Sequence, residues 1–241
     1  MADSLRPTAQ QFRLLPLGDA ALTVEFGDEI DPTLNALVIS FSEALRAQAW
    51  EGVLDVVPTY RSVTIHVDPL CLDLNTLTDK LVTFSSSLSQ EVTSSGTHHT
   101  IPVLYGGEHG PDLDDVAAHA KTSVADVIRL HSSVLYRVYM LGFSPGFPYL
   151  GSVPEALAIP RLATPRTRVP AGSVGIADRQ TGIYPTATPG GWRLIGRTPI
   201  ELYSPSGAMA FLLSPGDMVR FESITAQEFE RLLRERNAHT R

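Results

Sequence analysis

The stretch from Gly142 to Trp192, GFSPGFPYLGSVPEALAIPRLATPRTRVPAGSVGIADRQTGIYPTATPGGW, limits the fold more than any other part of the chain. Between Gly142 and Gly191 lie 8 of the 18 glycines and 8 of the 18 prolines. Density of this kind belongs either to flexible linkers or to ordered loops. Phe143, Phe147, Tyr149, Leu150, Ile159, Val169, Val174, Ile176, Tyr184 and Trp192 are threaded through it, and a linker would lack them. The stretch therefore reads as a compact, loop-rich surface whose backbone is fixed by proline and freed by glycine. Ordered loops on a rigid scaffold are where binding and catalytic groups concentrate.

Charge singles out the same region. From Arg129 to Arg197 there are eight arginines (129, 137, 161, 166, 168, 179, 193 and 197), with only Glu155 and Asp178 as acids, in a chain whose net charge is −7. A preference for arginine runs through the whole protein, with 17 arginines to 2 lysines. That bias does not explain why acids are scarce in this one segment. Guanidinium forks suit carboxylate and phosphate, so the segment is expected to present an anion-binding face.

The overall negative charge argues against nucleic-acid or anionic-membrane binding. Cys71 is the single cysteine, which excludes an internal disulfide and points to a reducing compartment. Its place beside a strand end suggests an inert, half-buried thiol. The N-terminal MADSLRPTAQQF has no apolar core like that of a signal peptide, and no run reaches transmembrane length. A cytoplasmic location is expected.

In chain order, Phe12–Leu17 and Ala21–Phe26 read as strands joined by a Gly18-Asp19 turn. Asp31-Pro32 opens a helix with Leu34, Leu37, Val38, Phe41 and Leu45 on one face. Val53–Val57 and Ser62–Val67 are strands, the second placing His66 on the solvent side. A helix over roughly residues 74–88 carries Leu74, Leu77, Leu81 and Leu88. The order β-β-α-β-β-α gives an N-terminal two-layer α/β sandwich, assigned to residues 1–92. Gln90–His99 is polar and reads as a linker. The adjacent His98 and His99 have no Cys or acidic company that would suggest a metal.

Residues 93–241 form the second expected domain. Thr100–Tyr105 reads as a strand, followed by two short helices capped by Asp112 and by Ser123 with Asp126. Tyr136–Met140, Leu194-Ile195, Pro199–Tyr203, Ala210–Leu213 and Met218–Phe221 supply further short strands between Gly/Pro turns, the pattern of a closed or nearly closed β-barrel. Thr225 and Glu228 cap a last helix. The fold class is therefore α+β, a sandwich followed by a barrel. No internal repeat is present.

Phosphate-loop, dinucleotide-binding, GxSxG and HExxH motifs are all absent. Ser144 sits between glycines but directly before Pro145, with no visible base, and reads as a turn residue rather than a nucleophile. Gly142-Phe143-Ser144-Pro145-Gly146-Phe147 is either an amide cradle for an anion or a β-turn between core phenylalanines. Pro160-Arg161 and Pro165-Arg166-Thr167-Arg168 hold guanidiniums on stiff backbone. Tyr184, Thr188, Gly190, Gly191 and Trp192 combine close-approach backbone with aromatic rings, Trp192 itself reading as a barrel plug. His131, near a helix C-terminus, is either a catalytic candidate or simply favourable electrostatics. No carboxylate pair and no metal set stand in the region. The residues describe an arginine-lined pocket that is a binding module or half of a shared active site.

LGDAALTVEFG (Leu17–Gly27), Gly52–Pro69, Ile101–Leu113, YRVYMLGFSPGFPYLG (Tyr136–Gly151), Pro160–Ala177 and YPTATPGGWRLIGRTP (Tyr184–Pro199) together resemble the KipI and allophanate-hydrolase-subunit-1 family, which includes the B subunits of bacterial 5-oxoprolinases. Thr188 departs from the serine usual there and keeps the hydroxyl. The resemblance implies a cyclophilin-like barrel. It also implies a hydrolase acting on a cyclic amide, inactive alone. A partner of the KipA or allophanate-hydrolase-subunit-2 type, the C subunit of such enzymes, would share ATP, with Mg as counter-ion, to phosphorylate 5-oxoproline. A third protein of the LamB/YcsF type, their A subunit, would finish ring opening to L-glutamate. Arg166 and Arg168, and His131 from its place near the helix end, are expected as catalytic residues. Ligand binding is expected at Gly142, Phe143, Pro145, Gly146, Phe147, Arg161, Arg166, Arg168, Tyr184, Thr188, Gly190 and Gly191. Two other branches stay open: a carboxyltransferase part of a biotin-dependent urea carboxylase system, and a KipI-like inhibitor of a histidine kinase.

Overall fold

The structure, a computed structural model, describes residues 12–87, 96–205 and 210–239. The chain divides into two compact units, Met1–Ser95 and Gly96–Arg241. Leu88, Gln90–Ser95 of the expected linker and the expected boundary after residue 92 all lie outside the described residues.

The first unit runs β1 (Arg13–Pro16), β2 (Ala21–Glu25), α1 (Pro32–Ala47), β3 (Val53–Pro58), β4 (Ser62–Val67) and α2 (Leu74–Ser87). Its strands form one antiparallel sheet in the order β1-β2-β4-β3. Asp31 accepts hydrogen bonds from the Thr33 and Leu34 N–H groups, and Pro32 opens α1. The register sets Leu22 against Ile65 and Val24 against Val63. These four pack with Val38, Phe41, Leu45, Leu77 and Leu81 in one core. Alternation leaves His66 exposed, and the Oγ1 atoms of Thr23 and Thr64 meet at 2.9 Å on the other face. Cys71 is exposed rather than half-buried, because it sits in a turn after β4, where its N–H bonds back to the Asp68 carbonyl. The hydrogen bond to Asp68 and the charge of that carboxylate raise the thiol pKa, which keeps it protonated and unreactive.

The second unit is built on seven strands: β5 (His98–Tyr105), β6 (Leu135–Leu141), β7 (Pro148–Gly151), β9 (Ser173–Ala177), β10 (Gln180–Ile183), β12 (Arg193–Arg197) and β13 (Met218–Ser223). They close into a barrel in the order β10-β7-β6-β13-β5-β12-β9. First and last of these in the chain, β5 and β13, pair in parallel; every other neighbouring pair is antiparallel. Joining the two ends of the unit in this way removes the free edges that short strands would otherwise expose. Tyr136, Val138, Leu150, Ile176, Ile183, Ile195, Val219 and Phe221 belong to its core. Outside the barrel, β8 (Arg166–Val169) and β11 (Thr188–Gly190) form a two-stranded ribbon. Helices α3 (Leu113–His119), α4 (Val124–Ser133) and α5 (Ala226–His239) complete the unit.

Three local expectations are corrected. The strand begins at His98, so the end of the expected linker is ladder; His99 Nε2 lies 3.1 Å from the Asp217 carboxylate. The segments around Leu202 and Leu212 meet in a single Tyr203–Phe211 bridge rather than two strands. Asp112 precedes α3 but makes no side-chain cap, because its carboxylate is engaged elsewhere. By contrast Ser123 accepts from the Asp126 N–H at 3.1 Å, and Thr225 accepts from the Glu228 N–H at 3.2 Å, as capping patterns require.

Candidate anion-binding site

The Gly142–Phe147 loop joins β6 to β7. The Gly142 N–H donates to the Phe147 carbonyl, Ser144 N–H to Gly142 and Phe147 N–H to Ser144. Pro145 has no N–H, so most of the loop's donors close its own turn. The loop is thus a β-turn held between two phenylalanines more than a cradle of free amides. The phenylalanines differ: Phe147 is buried, while Phe143 is 62% exposed and sits at φ 62°, a left-handed conformation that non-glycine residues seldom adopt. The Ser144 Oγ is buried with no hydrogen-bond partner among the described residues, which supports its reading as a turn residue.

Phe147 anchors an aromatic cluster. Its ring lies 5.4 Å from Phe143, 5.0 Å from Tyr149, 5.2 Å from Tyr184 and 5.3 Å from Trp192, all edge to face. Edge-to-face pairing suits the ring quadrupoles and explains why the loop, β7 and the segment before Trp192 converge. Trp192 is the expected plug, buried with Val169, Tyr184 and Leu194. Gly190 passes so close to Tyr184 that an added Cβ would lie 2.8 Å from the phenol Cζ. Gly190→Ala is expected to destabilise the second unit by about 1–3 kcal/mol through overpacking. An unchanged melting temperature would contradict that close approach.

Arginines rim the aromatic cluster. Arg166 Nη2 donates to Asp112 Oδ1 at 2.7 Å, and the second Asp112 oxygen accepts the Leu194 N–H at 2.6 Å. Asp112 is almost wholly buried, and Arg166 is partly covered. Arg161 is exposed and only loosely paired with Asp178, at 3.9 Å. Burial raises the pKa of both Tyr149 and Tyr184; the positive field of Arg161 opposes the rise at both, and that of Arg166 at Tyr184. Arg161, Arg166, Tyr149 and Tyr184 therefore share one electrostatic neighbourhood. Arg168 stands two residues along β8, exposed, with no ion pair among the described residues. Thr188 pairs with Val169 across the ribbon, and its Oγ1 is buried with no hydrogen-bond partner among the described residues. The Leu162 N–H donates to the Gly191 carbonyl at 2.8 Å, which ties the arginine-bearing segment to the Gly190-Gly191 turn.

His131 does not join this group. It is fully buried inside the barrel, stacked on Phe221 with ring centroids 4.5 Å apart. Its Nδ1 meets the Tyr105 hydroxyl at 2.8 Å and its Nε2 meets Thr181 Oγ1 at 2.9 Å. Thr181 gives its only proton to the Gly175 carbonyl, so it accepts from Nε2–H, and Nδ1 accepts from Tyr105. Burial lowers the His131 pKa to about 3. It is a neutral core residue that no ligand at the surface can touch, and the expected catalytic role is withdrawn.

Sequence reasoning passed over two members of the site. Tyr149 stood in the aromatic stretch without being given a role. Asp112 looked like a helix cap, and nothing local links it to Arg166, which lies 54 residues away.

Fold and site together define a two-unit protein, an α/β sandwich and a closed barrel, with a candidate site on the second unit. It presents aromatic rings and guanidiniums but no nucleophile joined to a base. Among the described residues, no group of three His, Cys, Asp or Glu is placed to hold a metal ion. None of the described helices is long and apolar enough to cross a membrane.

The chain belongs to the carboxyltransferase domain family, subdomains C and D, whose model matches residues 12–213. It is 43% identical to the 5-oxoprolinase B subunit of Escherichia coli O157:H7 over 88% of this chain and 96% of that protein. It is 36% identical to the 5-oxoprolinase B subunit of Bacillus subtilis strain 168 over 94% of this chain and 99% of that one. The crystal structure of TTHA0988 superposes with a TM-score of 0.77 at 39% identity, covering 87% of this chain. The chain spans only 41% of that longer protein.

Proposed function

We propose that the chain is the B subunit of an ATP-dependent 5-oxoprolinase. Together with the C subunit it phosphorylates the ring carbonyl of 5-oxoproline, and the A subunit then opens the ring to L-glutamate. The observation that carries this reading is end-to-end similarity to proteins named as that component. The site supports it through what it offers and what it lacks. Arg161 and Arg168 are exposed guanidiniums able to hold a carboxylate or phosphate, and Arg166 is braced beside them. Phe143, exposed at the surface, offers a ring face and edge to a flat heterocycle, and the buried Tyr184 packs beneath it. ATP, with Mg as counter-ion, would supply the phosphoryl group; Arg161, Arg166 and Arg168 suit its anionic charge, and Phe143, Pro145, Gly146, Thr188, Gly190 and Gly191 are the further residues proposed to line the site. With no nucleophile and base in this site, the remaining chemical groups are expected from the C subunit, and the chain alone is expected to be inactive.

Co-expression with the neighbouring homologues of the A and C subunits tests the reading, with glutamate and ADP followed in the presence of 5-oxoproline and ATP. Glutamate formation that requires all three proteins is the expected result. No turnover from a well-formed complex would overturn it. In the same assay Arg168→Ala should lower activity about tenfold without changing the melting temperature, because the side chain is exposed and has no ion pair among the described residues. A wild-type rate would remove Arg168 from the site.

One further reading has a specific observation behind it. The family model is that of a carboxyltransferase domain, so a role in a biotin-dependent urea carboxylase system is the alternative. ADP release stimulated by urea but not by 5-oxoproline would favour it.

A further inference from the structure

A separate cleft of about 470 Å3 opens on the second unit, lined among others by Ala171, Gly172, Pro185, Glu201, Arg236 and Asn237. None of the aromatic or arginine residues of the site above lines it. Its walls come from four places: the turn between β8 and β9, the segment between β10 and β11, the segment after β12 and the last turns of α5. Hydrogen bonds fasten these walls: Thr198 N–H donates to the Gly172 carbonyl at 2.9 Å, and the Arg236 side chain donates from Nη1 to the Pro199 carbonyl at 3.0 Å. The Arg236 guanidinium is therefore held in place at the cleft wall rather than swinging in solvent.

Arg197 lies behind the same wall. Its Nε donates to the Ala171 carbonyl at 2.8 Å, which leaves the Nη1 and Nη2 pair of a half-buried guanidinium without an acceptor among the described residues. Burial and the nearby charge of Arg236 both lower its pKa, opposed only by the field of Glu108. The positive charges of Arg236 in the cleft wall and of Arg197 behind it would favour an oxyanion there. Glu201 also lines the cleft, so the site favours a small oxyanion that occupies the Arg197 and Arg236 side over a large polyanion.

We propose that this cleft is a second binding site, for a small phosphate or carboxylate, with Arg236 at the wall and Arg197 supplying charge behind it. It is distinct from the aromatic site and does not depend on the 5-oxoprolinase reading. The full chain is titrated, at constant ionic strength, with inorganic phosphate in one arm and acetate in the other, and backbone amide NMR shifts are followed. Saturable shifts at Gly172, Ile200 and Asn237 are expected in at least one arm, and the arm that saturates at lower concentration identifies the source of the oxyanion. Arg236→Gln and Arg197→Gln should each weaken that binding about tenfold or more, and Arg197→Lys should weaken it less. The melting temperature of each variant, compared with that of the wild type, is the control for fold. Shifts that do not saturate in either arm, or that both glutamine variants leave unchanged, would overturn the proposal.

Discussion

Lowering the pH from 7 to 4 is expected to destabilise the second unit by about 3 kcal/mol through His131 alone. The imidazole is held neutral inside the barrel, with its pKa lowered by burial to about 3, against about 6.5 for an unfolded histidine. Between those two values the unfolded chain binds a proton that the folded chain refuses. The full stability contributed by the neutral imidazole is therefore present above about pH 6.5, and it declines as pH falls toward 3. Carboxylates titrate in the same range, so the comparison that isolates the effect is with His131→Gln. That variant should be less stable at pH 7, because Tyr105 and Thr181 lose well-placed partners. It should also lose stability less steeply on acidification. Equal slopes of unfolding free energy for the two proteins between pH 6 and 4 would show that His131 is not the proton-sensitive group.

Asp112→Ala should lower the stability of the same unit by about 3–5 kcal/mol, the range for breaking a buried ion pair by removing one partner. The carboxylate serves two groups at once, the Arg166 guanidinium and the Leu194 N–H; removal leaves both without it, in a place water reaches poorly. Arg166 would also lose the brace that fixes it beside Tyr184, so activity of the assembled enzyme should fall even below the melting temperature. Arg166→Ala should cost at least about tenfold in activity, and it strands Asp112 in turn. The two effects separate experimentally. If Arg166→Ala melts earlier yet turns over at the wild-type rate in the cold, Arg166 is only a brace, and the anion contact belongs to Arg161 and Arg168. If Asp112→Ala melts with the wild type, the brace itself is not there.

The sandwich was readable because its signals are local. Asp31-Pro32 fixes the start of a helix whatever surrounds it, and Val63, Ile65 and Val67 alternate with polar neighbours along one strand, so one face had to be buried. The barrel was readable as a class for a related reason: short apolar runs broken by Gly and Pro leave few arrangements other than a sheet that closes. Its wiring was not readable. Which strands neighbour each other depends on β5 meeting β13 across more than a hundred residues, and no local pattern encodes that pairing. The Leu202 and Leu212 segments show the opposite error, since runs with strand-like composition bridge only once when no longer ladder receives them.

Within the site, the sequence by itself determined the residue chemistry: an arginine-rich, acid-poor segment with aromatic rings and turn-forming glycines, and no nucleophile or base of a known pattern. Charge balance and backbone freedom are properties of composition and spacing, so they survive without coordinates. Only the tertiary structure decided which of those residues act together. It drew Asp112 from a presumed helix cap to Arg166, and left Arg161 and Arg168 at the surface. It also sealed His131 inside the barrel as a neutral hydrogen-bonding post. Burial and long-range partnership set the charge state and reach of a side chain, and both arise only when distant segments pack.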